Sequence, residues 1–162
     1  MMAFLRAIPF VKLNEPPSVA FRCEESRGIR TDEVITRDLA AFLSERGLSC
    51  RIMRTPSRRW IIRARDTDRA FTVGLKKGRL SPNERTMVVI ADASQVLYSS
   101  QKARPDRDVA GLRELCRLIH SFLLTASGIS ELRWYFEEPG VQSEAVFTPD
   151  ELEWGRPNAM GD

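Results

Sequence analysis

The chain has 162 residues, 43% hydrophobic and 29% charged, which is enough apolar material for one folded domain and too much for a disordered chain. No apolar run approaches the ~20 residues that span a bilayer, and three cysteines with a single histidine supply neither a disulfide framework nor a closed zinc site. The net charge of +3 conceals an asymmetry: residues 1–45 carry six basic and seven acidic side chains, residues 46–85 twelve and three, and residues 86–162 seven and twelve.

Residues 1–17 end in Asn14-Glu15-Pro16-Pro17, which punctuates rather than builds an element, and Val19–Glu24 reads as a short first strand. A helix follows from Thr31 or Asp32 to Arg46. Thr31 suits the N-cap, Asp32 and Glu33 the positive end of the dipole, and Gly47 the C′ position. Ile35, Leu39, Phe42 and Leu43 form its apolar stripe.

The period then changes from 3.6 to 2. Cys50 and Ile52 share one face of Ser49–Arg54; Trp60, Ile62 and Ala64 share one face of Arg59–Arg65; Phe71, Val73 and Leu75 share one face of Ala70–Lys76. Turn residues separate the runs at 55–57 and 66–68, so an antiparallel meander with one apolar and one basic face is expected. Met87-Val88-Val89-Ile90, in a strand Thr86–Ala91, is apolar on both faces and is expected to be covered on both. Gln95–Tyr98 reads as a further short strand. Asp106 or Asp108 is expected to cap a second helix reaching Ser127, with a stripe from Leu112 to Ala126 and Gly128 beyond it.

Leu132, Trp134 and Phe136 then alternate with Arg133 and Tyr135 in a last strand. Thr148-Pro149-Asp150-Glu151 has the spacing of a capping box, introducing a short helix with Leu152 and Trp154. The order of elements predicts an α+β fold: a two-layer domain with a mostly antiparallel sheet of four to six strands and two main helices on one face. A single domain over 1–154 is expected, with 1–17 extended and 155–162 a loose tail. Widely spaced cysteines and a poor signal-peptide pattern in MMAFLRAIPFVKL place it in the cytoplasm.

The catalytic inventory is thin. Cys116 and His120 sit one turn apart on the second helix and read as a core cysteine beside a boundary histidine rather than a nucleophile and its base. Asp66-Thr67-Asp68 reads as turn residues rather than a metal site, and Gly74-Leu-Lys-Lys-Gly78 lacks the Walker spacing. Glu137-Glu138 and Asp150-Glu151 are weak acid–base candidates, the second pair better explained by helix capping. No cofactor or metal is expected.

What remains is the basic sheet face, where Arg51, Arg59, Arg63, Arg65 and Lys76 should project together with Met53 and Ile61 among them, and Arg58, Arg69, Lys77 and Arg79 at the margins. Phosphates favour such a surface, but stacking aromatics are missing, because Trp60 and Phe71 alternate onto the apolar face. Arginine with exposed methionine and isoleucine also fits a protein interface. A solvated face neutralised by the acidic C-terminal third is the third reading.

The capped helix TDEVITRDLAAFLSERGLSC, the meander CRIMRTPSRRWIIRARDTDRAFTVGL and the amphipathic helix before ELRWYFEE resemble, in architecture, the small cytosolic immunity proteins that protect bacteria from polymorphic or contact-delivered toxins. The resemblance implies a single α+β domain without catalytic residues that binds and neutralises a cognate toxin. The set Arg51, Arg59, Ile61, Arg63, Arg65 and Lys76 is then the expected partner surface. A nucleic-acid-binding accessory module using residues 46–85 is the alternative.

Overall fold

The computed structural model describes residues 16–24, 32–67, 69–77, 83–91, 105–136, 145–152 and 154. They form β1 (Pro17–Cys23), α1 (Asp32–Glu45), β2 (Ser49–Arg54), β3 (Trp60–Arg65), β4 (Ala70–Lys77), β5 (Glu84–Ala91), α2 (Pro105–Thr125) and β6 (Ile129–Phe136). The strands make one antiparallel sheet in the order β2-β3-β4-β5-β1-β6, with both helices on one face, an α+β fold as expected. No helix among the described residues is long and apolar enough to cross a membrane.

The meander β2–β5 follows from its period and its turns. In the β2–β3 turn the Arg58 amide donates to the Thr55 carbonyl, with Pro56 holding its first central position, and the Thr55 amide closes onto the Arg59 carbonyl. In the β3–β4 turn the Asp66 amide donates to the Arg69 carbonyl, while the Asp66 carboxylate accepts from the Thr67 amide and the Arg69 guanidinium. The first strand in the chain is not at an edge. It lies between β5 and β6, pairing Val19 with Met87 on one side and Trp134 on the other.

The core sits between this sheet and the helices. Ile35, Leu39 and Leu43 from α1 and Leu115, Cys116, Ile119 and Leu123 from α2 meet Val19, Phe21, Ile62, Val73, Met87, Val89 and Trp134, nearly all without solvent exposure. Phe42, the remaining member of the α1 stripe, is only half-buried. It lies edge-on to Phe122, with the Arg46 guanidinium 3.6 Å over its ring. The end of α1 is a Schellman motif, with Gly47 at φ 94 donating to the Ser44 carbonyl and Leu48 donating to that of Leu43.

Among the described residues, Arg85 and Arg69 reach from the sheet to the helices. Arg85 points from β5 to the helix side, 7% exposed, and donates from Nε to Asp32 at the start of α1 at 2.7 Å. Arg69 lies against α2 at Gly111, where a methyl group would run into its guanidinium.

Several expectations need correction. Strand β3 begins at Trp60, leaving Arg59 in the turn, and α2 begins at Pro105, ahead of both aspartates expected to cap it. The segment after Thr148 is a single 3-10 turn, Pro149–Glu151, that ends before Leu152 and Trp154. Ile90 is 45% exposed rather than covered. Thr31, Gln95–Tyr98, residues 1–15 and the tail 155–162 lie outside the described residues.

Candidate functional site

The sheet face away from the helices is where the candidate partner residues fall, and strand register decides which are neighbours. Arg51 stands directly opposite Arg63, and that row continues through Thr72 to Ile90. The next row is Met53, Ile61, Gly74 and Val88. Arg65 follows one row beyond Arg63, opposite Ser49. Lys76 lies on the same face near the other end of β4, opposite Thr86.

Arg51, Ile61, Arg63, Arg65 and Lys76 therefore share one face. Arg59 does not belong to the sheet, because its amide is tied to the Thr55 hydroxyl in the turn, although it is exposed at the end of the Lys76 row.

Exposure on this face is uneven. Arg51, Arg63 and Arg65 are exposed, Met53 is 38% exposed, and Ile61 and Lys76 are half-buried. Farther along, Ser18, Ala20 and Thr86 are buried, and the Ser18 hydroxyl has no hydrogen-bond partner among the described residues.

Charge pairing divides the face the same way. At the β1 end, Arg133 donates to Glu84 at 2.9 Å and Arg22 lies 3.9 Å from Glu131. Arg51, Arg59 and Arg65 form no ion pair with a described residue. The acidic side chains of the C-terminal third that pair among the described residues do so at β1, β6 and α2, not on Arg51, Arg59 or Arg65.

Not all of the positive middle segment belongs to this surface. Arg85 and Arg69 are taken up between the layers. Arg54 lies 4.8 Å over the ring of Trp60, and both residues have the parity of the helix side. Arg58 sits in the β2–β3 turn at φ 67, Lys77 is exposed at the end of β4, and Arg79 lies outside the described residues.

The groups singled out for chemistry have structural partners. His120 Nδ1 accepts a hydrogen bond from the Trp134 indole N–H at 2.9 Å. Burial holds the His120 pKa below its ordinary value, against a smaller opposing pull from Asp150. Cys116 is fully buried and burial raises its thiol pKa well above the usual range, the reverse of an activated nucleophile. The Arg69 hydrogen bond lowers the Asp66 pKa, with the Thr67 amide adding to it.

Glu151 accepts from the Thr148 amide, as a capping box requires, and also from the Thr148 hydroxyl, whereas Asp150 accepts from Arg117 on α2 at 2.7 Å. No cluster of metal-ligating side chains occurs among the described residues. Glu137 and Glu138 lie outside them.

No protein-family model, curated protein or solved structure matches the chain. Sequence parity located the basic patch but missed Ile90, which alternation within an all-apolar run could not distinguish from a covered residue. It also missed the Arg51–Arg63 pairing, for which the length of the 55–59 turn was the available signal.

Proposed function

We propose that the chain is a non-catalytic binding protein that docks an acidic protein surface on the exposed β2–β4 patch, in the manner of a cytosolic immunity protein occluding a toxin. The observation that supports this is the Arg51–Arg63 cross-strand pair with Met53, Ile61 and Ile90 beside it. Like charges placed directly opposite are destabilising, and solvent-facing isoleucine and methionine contribute nothing to the core. A carboxylate-bearing, partly apolar partner offsets the first and buries the second. Long-range attraction to Arg51, Arg59 and Arg65 speeds encounter, and burial of the apolar side chains slows release.

The test is affinity capture from the native host with and without nuclease, alongside the variant Arg51→Glu/Arg63→Glu/Arg65→Glu. A stoichiometric protein that survives nuclease is expected, with its affinity for the variant reduced by about 100-fold or more. The three side chains are exposed, so the variant should keep the parent's circular dichroism and melting behaviour. Capture of nucleic acid that vanishes on nuclease treatment, or equal retention by the variant, would overturn the assignment.

A further inference from the structure

Among the described residues strand β2 ends the sheet, pairing with β3 alone. The turn bond from the Thr55 amide to the Arg59 carbonyl fixes which pairs in this hairpin exchange hydrogen bonds. Counting back along the register, they are Met53 with Ile61 and Arg51 with Arg63, because bonded and non-bonded pairs alternate. The amides of Cys50, Ile52 and Arg54 therefore point away from β3, along an edge that no described backbone pairs with. Exposed edges of this kind accept an added strand.

We propose that the partner binds by adding an extended segment to this edge, and that the segment alternates acidic with apolar residues. This rests on the reading of the chain as a binder of an acidic protein partner, and it names the part of the partner that binds. On the open face the added side chains would lie beside Arg51 and Met53, with Arg63 and Arg65 in the next strand, so carboxylates are selected there. On the helix side they would lie beside Cys50 and Ile52, both half-buried and packed against the core, so apolar side chains extend that core.

A second copy of the chain is a poor occupant. Antiparallel self-pairing places residues of equal parity opposite, which sets Arg51 against Arg51 or brings the two Arg51–Arg63 pairs into adjacent rows. The same arginines that recruit an acidic strand thus keep the edge from pairing with itself.

The experiment uses the full 15N-labelled chain and two capped heptapeptides, one alternating glutamate with valine and one alternating lysine with valine, at low ionic strength. The glutamate peptide should slow amide exchange at Cys50, Ile52 and Arg54 by about tenfold or more, leaving Arg51 and Met53, already bonded to β3, little changed. The lysine peptide should give no protection. Ile52→Pro should lose the effect, because that amide takes no part in the β2–β3 ladder; the exchange pattern of the unmodified chain decides the matter if this variant does not fold.

Resonance shifts at Arg51, Arg63 and Arg65 without protection of the three amides would overturn strand addition while leaving the acidic-surface reading intact. An absence of any shift would overturn both. Equal protection by the lysine peptide would overturn the proposed selection of partner.

Discussion

Single residues in this fold act through partners distant in sequence. His120 sits on α2, and the indole that hydrogen-bonds it comes from the strand after the helix. A neutral ring is needed at Nδ1 to accept that bond, and burial favours the same neutral form. The folded state therefore binds fewer protons here than the unfolded chain, whose histidine titrates near 6.5. The contribution of His120 is complete above that value and is lost as pH falls below it towards the depressed folded pKa. Chemical denaturation across this range should show the parent losing stability on acidification. His120→Asn, which retains an acceptor for Trp134, should show a flatter profile. An identical slope in both proteins would exclude His120 as the source. The sequence placed His120 at the helix boundary from its position in the apolar stripe; its indole partner depends on register, which composition does not encode. Arg85 carries the same lesson in reverse. Counted by sequence it belongs to the basic surface, yet it closes an ion pair with Asp32 beneath the sheet.

At the scale of elements, the β2–β3 hairpin is the most readable unit and also one that stores strain. Alternation located both strands, and Thr55-Pro56-Ser57 located the turn. The return to the ladder, however, places Arg58 in the left-handed region at φ 67, where a side chain is crowded against the backbone. Arg58→Gly should raise stability by up to about 1 kcal/mol, the relief of crowding being partly offset by the greater freedom of glycine in the unfolded chain. Thermal melts of the two proteins check this, and a lower melting temperature for the glycine variant would count against it. The bulge in β6, where Glu131 takes φ 56, is a second such site, and no turn signal in the sequence announces it. Element ends were the least legible feature. Arg59 has the parity of a strand residue but is held by the Thr55 hydroxyl, and the capping box after Thr148 starts a turn too short to become a helix.

At the scale of the whole molecule, the class of fold follows from the order of elements, because two amphipathic helices flanking a one-sided meander have one common surface to cover. The position of β1 does not follow. A short apolar strand at the start of a chain fits an edge as well as an interior position, and only its pairing with both β5 and β6 separates the two. The candidate patch was legible as a set of residues on one side of alternating strands, whereas the ion pairs at its β1 end depend on which acidic side chains reach them. Strand order also predicts folding behaviour. Contacts within β2–β5 are local in sequence, while β1 closes on residues far along the chain, so the meander should form first. Ile62→Ala should slow refolding, and Val19→Ala should mainly accelerate unfolding, as stopped-flow chevrons would report. Equal partition of both effects between the two arms would contradict that order. During synthesis the same insertion has a further consequence. Val19 leaves the ribosome long before Trp134 exists, so one flank of an apolar strand waits uncovered until the segment that pairs with it has been made. Production of this protein should therefore be sensitive to whatever shelters nascent chains, even though the finished sheet holds that strand between two neighbours.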